Sequence, residues 1–557
     1  MIAEIIPYTR TPRGTHFFDY LIPEEIENDI RIGSVVQITF RKKKRYGLVK
    51  RIKTDSPVPE ERLHQLLSIH PYTRWTHPRQ VAYLEWFAEY YGISLPTAWK
   101  TIQYPLLQRP RKSSRKEVVA PLMTPQSQEI HTSVLPAFQT IVQSQAHILA
   151  RYNNRRDILG LYQYLTEQQD GNVLIIVPEY TQAAEIAAVL PPTAVWMHEK
   201  PSKSDIYLLE QELAEPDSQK IVITTKRLAH LYPGLFSLII LDQEEAKSHK
   251  QYDQNPRYHV RTCILQQLER YYEHENEHTP SPRIICTSHA PSISLAHHAQ
   301  EQSDWEYIDF SRPWNADHIR LINMEEEKKK QNYTWFSEEL ISTIQHSPRI
   351  LLFLNRTGTF AASLCSDCDE LVPSAALSCP SCGGSRIHPI RKGIQALEQE
   401  LASLFPHKKI IRIDASQDIS AEEIQKYHIV VATEKLFRII PLHFFHNIGV
   451  LSVDHLLVYP HFQSQERVFS LLTQLAIAGV PLLLQTHSPR HPIIQHAISN
   501  NWSVFSTSEL SVRKMLQLPP FAPYVQLLDT SSREVRQAEG NEDIAELPQQ
   551  IVVNRFD

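Results

Sequence analysis

The chain has 557 residues, 42% of them hydrophobic, which is enough apolar material for several cores rather than one. Its formal charge of -5 excludes a surface that binds polyanions everywhere, so any nucleic-acid contact has to come from local basic patches. No apolar run reaches the roughly 18 to 20 residues that cross a bilayer, and no basic-then-apolar leader opens the chain, so a cytoplasmic, nucleoid-associated protein without membrane contact is expected.

Residues 1–7, 17–22, 34–40 and 46–52 alternate as short strands about a turn at Pro12-Arg-Gly14, with Gly33 and Gly47 as turn or bulge points. A small β domain over residues 1–58 is predicted. Arg41-Lys-Lys-Lys-Arg45 reads as a basic hairpin: a solvated turn on the simplest view, a phosphate contact through Lys43 and Arg45 on the other. From about residue 77 to 99 the pattern becomes helical, with Tyr83, Trp86, Phe87, Tyr90 and Tyr91 recurring on a face that suits a core. A separate helical domain over 59–108 follows from this, and then a basic linker over 109–135 centred on Arg109-Pro-Arg-Lys-Ser-Ser-Arg-Lys116.

Short apolar strands at 173–177, 194–197, 221–224, 238–241 and 284–287 alternate with helical stretches, which predicts a parallel-sheet lobe over 136–325. A second series at 350–355, 410–413, 429–432, 449–453 and 482–486 predicts another lobe over 326–500. Glu325-Glu-Glu-Lys-Lys-Lys330 reads as a solvated connector, and the remainder, 501–557, as a short C-terminal part that is polar and partly disordered beyond about Asp529. The fold class expected is therefore multidomain α/β.

Six cysteines are few for this length, and four of them form two knuckles, Cys365-Ser-Asp-Cys368 and Cys379-Pro-Ser-Cys382, within an insertion over 364–384. One such pair alone could be a redox couple or two buried thiols. Two pairs backed by Gly383 and Gly384 point to a ribbon holding one structural Zn²⁺. Cys263 and Cys286 read as small buried hydrophobes. Glycine occurs only 14 times, well below the usual share of roughly 7%, although a backbone that wraps phosphates needs it.

Taken together, Phe18-Asp-Tyr-Leu-Ile-Pro23, Leu174-Ile-Ile-Val-Pro-Glu179, Pro256-Arg-Tyr-His259, Phe353-Leu-Asn-Arg356, the cysteines, Leu404-Phe-Pro406, Arg412-Ile-Asp414, Leu472-Thr-Gln474, Gln485-Thr-His487 and Gln517-Leu-Pro-Pro-Phe521 resemble the bacterial PriA family. These are superfamily 2 helicases, also called primosomal protein N-prime, that reload the replisome at abandoned forks. The resemblance spreads over most of the chain and rests on the order and spacing of these segments rather than on any one of them. It implies an N-terminal 3′-DNA-end-binding β domain, a winged-helix-like domain over 59–108, two RecA-like lobes and an inserted zinc ribbon. In the family the pocket for a free 3′ end is built at positions matching Phe18, Asp19, Tyr20 and Gly33: an aromatic stacks on the terminal base and the aspartate accepts the 3′ hydroxyl. Spacing alone favours Phe18 and Tyr20 as fillers of a small β core, and the resemblance reverses that preference.

The same resemblance exposes what has been eroded. The phosphate-binding loop should lie at Ala150-Arg-Tyr-Asn-Asn-Arg-Arg156, which has no glycine, lysine, serine or threonine. The catalytic Asp-Glu-Glu-His box reads Asp242-Gln243-Glu244-Glu245, and Gln243 cannot act as a base. Ala478 and Pro481 stand where the family carries arginines that compensate transition-state charge. Of the family's eight cysteines for two zincs, the outer four remain, and the family's C-terminal domain is cut short. The expectation is a restart factor without catalytic residues that binds branched or forked DNA with a 3′ end and meets other primosome proteins, with single-strand-binding protein and the replicative helicase loader as candidates; ATP and Mg²⁺ are not expected. The alternative is a divergent ATP-dependent 3′-to-5′ DNA helicase that uses a residue such as Arg155.

Overall fold

The computed structural model describes residues 1–70, 78–102, 131–191, 195–198, 201–215, 217–272, 282–312, 314, 317–332, 334–354, 362–365, 367–368, 371–373, 378–389, 394–413, 419–457, 461–532, 534–538, 547 and 551–556. The basic linker around Arg109 to Lys116, the pair Asn355-Arg356 and Asp414 lie outside the described residues. The chain divides into two compact units, one made of residues 1–151, 156–309 and 511–557, the other of residues 152–155 and 310–510.

The first unit opens with a six-stranded sheet in the spatial order His64–Gln65, Phe18–Leu21, Ile2–Pro7, Lys43–Lys53, Val35–Phe40, Ser68–Ile69. Ile2–Pro7 has strands on both sides and is buried throughout, and Ala3, Ile5, Tyr20, Val36, Ile38 and Val49 form the core under it. Lys43–Lys53 crosses Ile2–Pro7 so closely at Gly47 that a Cβ there would fall 2.3 Å from Ile5 Cγ2. Val35–Phe40 and Lys43–Lys53 are joined by Arg41 and Lys42 alone, at φ +49° and +60°. This is the two-residue turn whose twist matches that of the flanking strands. Because the turn takes only two residues, Lys43, Lys44 and Arg45 already belong to the strand, three positions earlier than the alternation at 46–52 suggests.

The helical block consists of Pro78–Tyr90 and Leu95–Ile102. Tyr83, Phe87 and Tyr91 are buried, as their spacing predicts, and Trp99 meets Tyr8 edge-on with ring centres 5.0 Å apart. The expected boundary at residue 58 and the separate winged-helix-like domain beyond it need correction. Strands His64–Gln65 and Ser68–Ile69 complete the N-terminal sheet beyond residue 58, while Leu95–Ile102 contacts Ile2–Pro7 and Pro78–Tyr90 packs on the helix Val260–Tyr272.

A seven-stranded parallel sheet follows, in the order Trp305–Asp309, His147–Arg151, Arg283–Ser288, Leu238–Leu241, Val173–Ile176, Ile221–Thr224, Val195–Met197. Runs such as Leu-Ile-Ile-Leu and Ile-Val-Ile-Thr are buried at every residue, the mark of strands covered on both faces. Sequence reading missed His147–Arg151 and Trp305–Asp309 because polar residues interrupt them. Arg151 is buried in the sheet, and its charge is met by Asp309 on the neighbouring strand at 2.9 Å. Cys263 and Cys286 are fully buried, as expected.

The C-terminal expectation also needs correction. Tyr524–Asp529, Val535–Gln537 and Ile551–Phe556 form an antiparallel sheet, and five of the six residues of Ile551–Phe556 are buried. Cations aimed at carbonyls fix this segment. Arg13 donates to the carbonyls of Gly92 (2.6 Å), Leu547 (2.6 Å) and Ile551 (2.9 Å). Lys250 donates to Arg555 O at 2.6 Å, with its ammonium 3.9 Å from the centre of the Phe556 ring.

In the second unit a six-stranded parallel sheet runs Ile319–Asn323, Leu482–Thr486, Asn447–Val450, Ile350–Phe353, Ile429–Ala432, Ile410–Ile413 over a core that includes Phe336, Leu340 and Ile344. Five of these strands are legible in the sequence. The supposed connector is instead the helix Met324–Lys329, and Glu327 is buried because it collects Lys330 Nζ (3.0 Å), Asn332 Nδ2 (2.9 Å) and the Glu338 amide (3.0 Å). Three short antiparallel strands, Ala362–Cys365, Leu371–Pro373 and Ile387–Pro389, carry the cysteine knuckles. Among the described residues no helix is long and apolar enough to cross a membrane.

Gly47→Ala should overpack the contact with Ile5 and cost about 1–3 kcal/mol. Hydrogen exchange on the full chain should report it as faster exchange in Ile2–Pro7 and Lys43–Lys53.

Candidate DNA-end and metal sites

Alternation along Phe18–Leu21 separates the residues that the resemblance groups into one pocket. Phe18 and Tyr20 point into the β core. Phe18 meets Phe40 edge-on at 5.0 Å, while Tyr20 is 4% exposed and donates its hydroxyl to Thr39 O at 2.9 Å. Burial pushes the Tyr20 pKa up to about 12. Asp19 projects from the other face, paired across the strands with Glu4. Its Oδ2 accepts the Ser56 hydroxyl at 2.5 Å and lies 3.0 Å from Lys53 Nζ, which also reaches Glu4 Oε1 at 2.9 Å. Burial opposes the charge on Lys53, but the hydrogen bonds and charges of Glu4 and Asp19 outweigh it and hold the ammonium above the ordinary lysine range. Asp19 Oδ1 is buried without a hydrogen-bond partner, an acceptor with unused capacity.

The structure thus joins Asp19 to Lys53, Ser56 and Glu4, and leaves the rings of Phe18 and Tyr20 in the core. Gly33 sits at φ +87°, donating its N–H to Val49 O at 2.7 Å where the chain turns into Val35–Phe40. Lys43 and Arg45 are exposed on the hairpin strand, opposite Phe40 and Ile38. Lys53 and Ser56 escaped sequence reading because Ser56 lies 37 residues from Asp19, and only sheet register brings them together.

The four cysteine sulfurs all lie within 4.8 Å of one another, with Cys365 to Cys382 at 3.6 Å and Cys368 to Cys379 at 3.5 Å. A tetrahedron of thiolates at about 2.3 Å from a metal has edges of about 3.8 Å, so the set fits a bound metal ion. Gly383, at φ +72°, lets the second knuckle fold back, donating its N–H to Cys379 O at 2.8 Å.

In the seven-stranded lobe, Asp242 is 0% exposed, and its Oδ1 accepts the Tyr162 hydroxyl at 2.6 Å. That hydroxyl also lies 2.6 Å from Thr287 Oγ1, and His249 Nε2 is 2.9 Å from the Asp242 carbonyl. Gln243 takes a left-handed φ of +49°. Glu244 accepts from the Ser292 amide (2.6 Å), the Ser292 hydroxyl (2.9 Å) and Arg261 (2.5 Å). Burial raises the Glu244 carboxyl above its ordinary range despite Arg261.

Residues 8–103 match the family model described as the 3′ DNA-binding domain (3′BD) of PriA. The chain is 24% identical to the replication restart protein PriA of Rickettsia conorii over 93% of its length and 86% of that protein. It is 26% identical to PriA of Bacillus subtilis over 54% of this chain, and 25% identical to PriA of Borreliella burgdorferi over 67% of it. The chain is similar to PriA proteins along most of its length. It spans about half the length of the last two relatives, 42% of the Bacillus protein and 61% of the Borreliella one. The PriA 3′BD match runs through residue 58 and includes both helices, in line with the contact of Leu95–Ile102 with Ile2–Pro7.

Asp242 serves as an internal hydrogen-bond acceptor for Tyr162. Tyr162→Phe should leave that buried carboxylate short of a donor and cost about 1–3 kcal/mol. A lowered melting temperature, restored toward the parent value when Asp242→Asn is added, would check it.

Proposed function

We propose that this chain is a PriA-like replication restart factor that binds branched or forked DNA at a 3′ end and assists primosome assembly without hydrolysing ATP. The observation that carries the reading is Asp19. Inside the segment matched to the 3′ DNA-binding domain, it is a carboxylate with a lysine beside it and one oxygen lacking a partner. The Asp19 carboxylate, through Oδ2 beside Lys53, can accept the hydroxyl of a DNA terminus, while Lys43 and Arg45 on the adjacent hairpin meet phosphates. Phe18 and Tyr20 then shape the pocket wall from within the core rather than stacking on a base. Partners are forked DNA and other restart proteins, single-strand-binding protein and the replicative helicase loader among them, at the nucleoid in the cytoplasm.

Catalytic silence is supported at three places: a stretch at 150–156 without glycine, lysine, serine or threonine, Gln243 in place of a base, and Asp242 covered by Tyr162. A Mg²⁺ ion would have to displace the Tyr162 hydroxyl before it reached Asp242. The cysteine tetrad holds one structural zinc, which closes the ribbon.

Asp19→Ala should weaken binding to forks with a free 3′ hydroxyl by about tenfold and leave 3′-blocked forks unchanged, measured by fluorescence anisotropy. Lys43→Ala or Arg45→Ala should weaken both forks alike and lower the slope of log K against log salt by about 1. Equal affinity for both forks in the parent protein would refute end capture, and fork-stimulated ATP turnover abolished by Asp242→Ala would refute silence. Elemental analysis should find about one zinc per chain, lost on Cys379→Ala.

A further inference from the structure

Between the strand Lys43–Lys53 and the 3-10 turn Glu60–Arg62 the chain runs through residues 54–59, all exposed except Ser56. None of the six lies in a strand or helix. Ser56 turns inward, donates to Asp19 Oδ2 at 2.5 Å and accepts the Val58 amide at 3.1 Å. Among the described residues, the side-chain hydrogen bond that ties this segment to the sheet is this one to Asp19. It ends on the carboxylate whose other oxygen is buried and unpartnered, and whose side chain is only 7% exposed. The segment therefore covers Asp19, and a single hydroxyl holds the cover down.

A serine side chain and a DNA 3′ terminus offer the same group, an alcohol O–H on an sp³ carbon. A carboxylate oxygen with Lys53 at 3.0 Å accepts either one with the same geometry. We propose that Ser56 stands in for the terminal 3′ hydroxyl in DNA-free protein, so that residues 54–59 form a self-capping flap which a hydroxyl-ended strand displaces. The proposal rests on the reading of Asp19 as the 3′-hydroxyl acceptor. Capture then exchanges one charge-assisted hydrogen bond for another. An end without a hydroxyl cannot replace the bond it breaks, so it leaves the flap shut. Ser56 thereby keeps Asp19 from standing as a buried, underpaired charge between encounters, and it sets how strongly the protein selects its ends.

The test uses the full chain and two forks that differ only at the leading-strand terminus, one with a 3′ hydroxyl and one with a 2′,3′-dideoxy end. Ser56→Ala should bind the hydroxyl-ended fork about tenfold tighter than the parent while its affinity for the dideoxy fork stays put, and Ser56→Thr, which keeps the hydroxyl, should behave as the parent. Hydrogen exchange at residues 54–59 should quicken when the hydroxyl-ended fork binds. If the parent prefers the hydroxyl but Ser56→Ala binds it no tighter, or less tightly, the flap is overturned while end capture stands. If the parent and Ser56→Ala both ignore the terminus, end capture fails and the flap fails with it.

Discussion

The ion pair between Asp19 and Lys53, shared with Glu4, governs the N-terminal sheet. Two carboxylates and one ammonium sit together at low exposure, and neither carboxylate would tolerate that position without the lysine between them. The pairing needs Ile2–Pro7 in register with both Phe18–Leu21 and Lys43–Lys53, so the same contacts that build the sheet also assemble the polar cluster. A cluster held by three strands keeps its geometry without a ligand to organise it.

The seven-stranded lobe applies the same constraint to another end. Asp242, Glu244 and Arg261 are buried, and each is met from within the lobe. A buried carboxylate without donors is costly, and Tyr162 and Ser292 supply those donors to Asp242 and Glu244. Asp242 and Glu244 thus contribute to the stability of the lobe through their internal partners.

Legibility in the sequence followed the range of the interaction. Val173–Ile176, Leu238–Leu241 and Ile429–Ala432 are unbroken apolar runs and announce themselves as covered strands. The metal cluster was equally plain, because each knuckle brings its two thiols together within four residues. His147–Arg151 and Trp305–Asp309 were hidden because their charges are neutralised across strands, a fact of pairing rather than of composition. The helices after residue 77 were visible as helices, but nothing local says which core they share, and so a domain boundary was placed where the sheet in fact continues. Glu327 looked like one charge among many in a polar run, and only its three donors reveal it as interior.

Arg13 carries a consequence for biosynthesis. Its guanidinium is satisfied by Gly92 nearby and by Leu547 and Ile551, acceptors 534 and 538 residues away. On a ribosome that adds roughly 5–20 residues each second, those two carbonyls do not exist for some tens of seconds after Arg13 emerges. Through that interval the amino-terminal segment is a half-finished interface, and a nascent chain stalled short of residue 551 would present it to chaperones and proteases as incomplete.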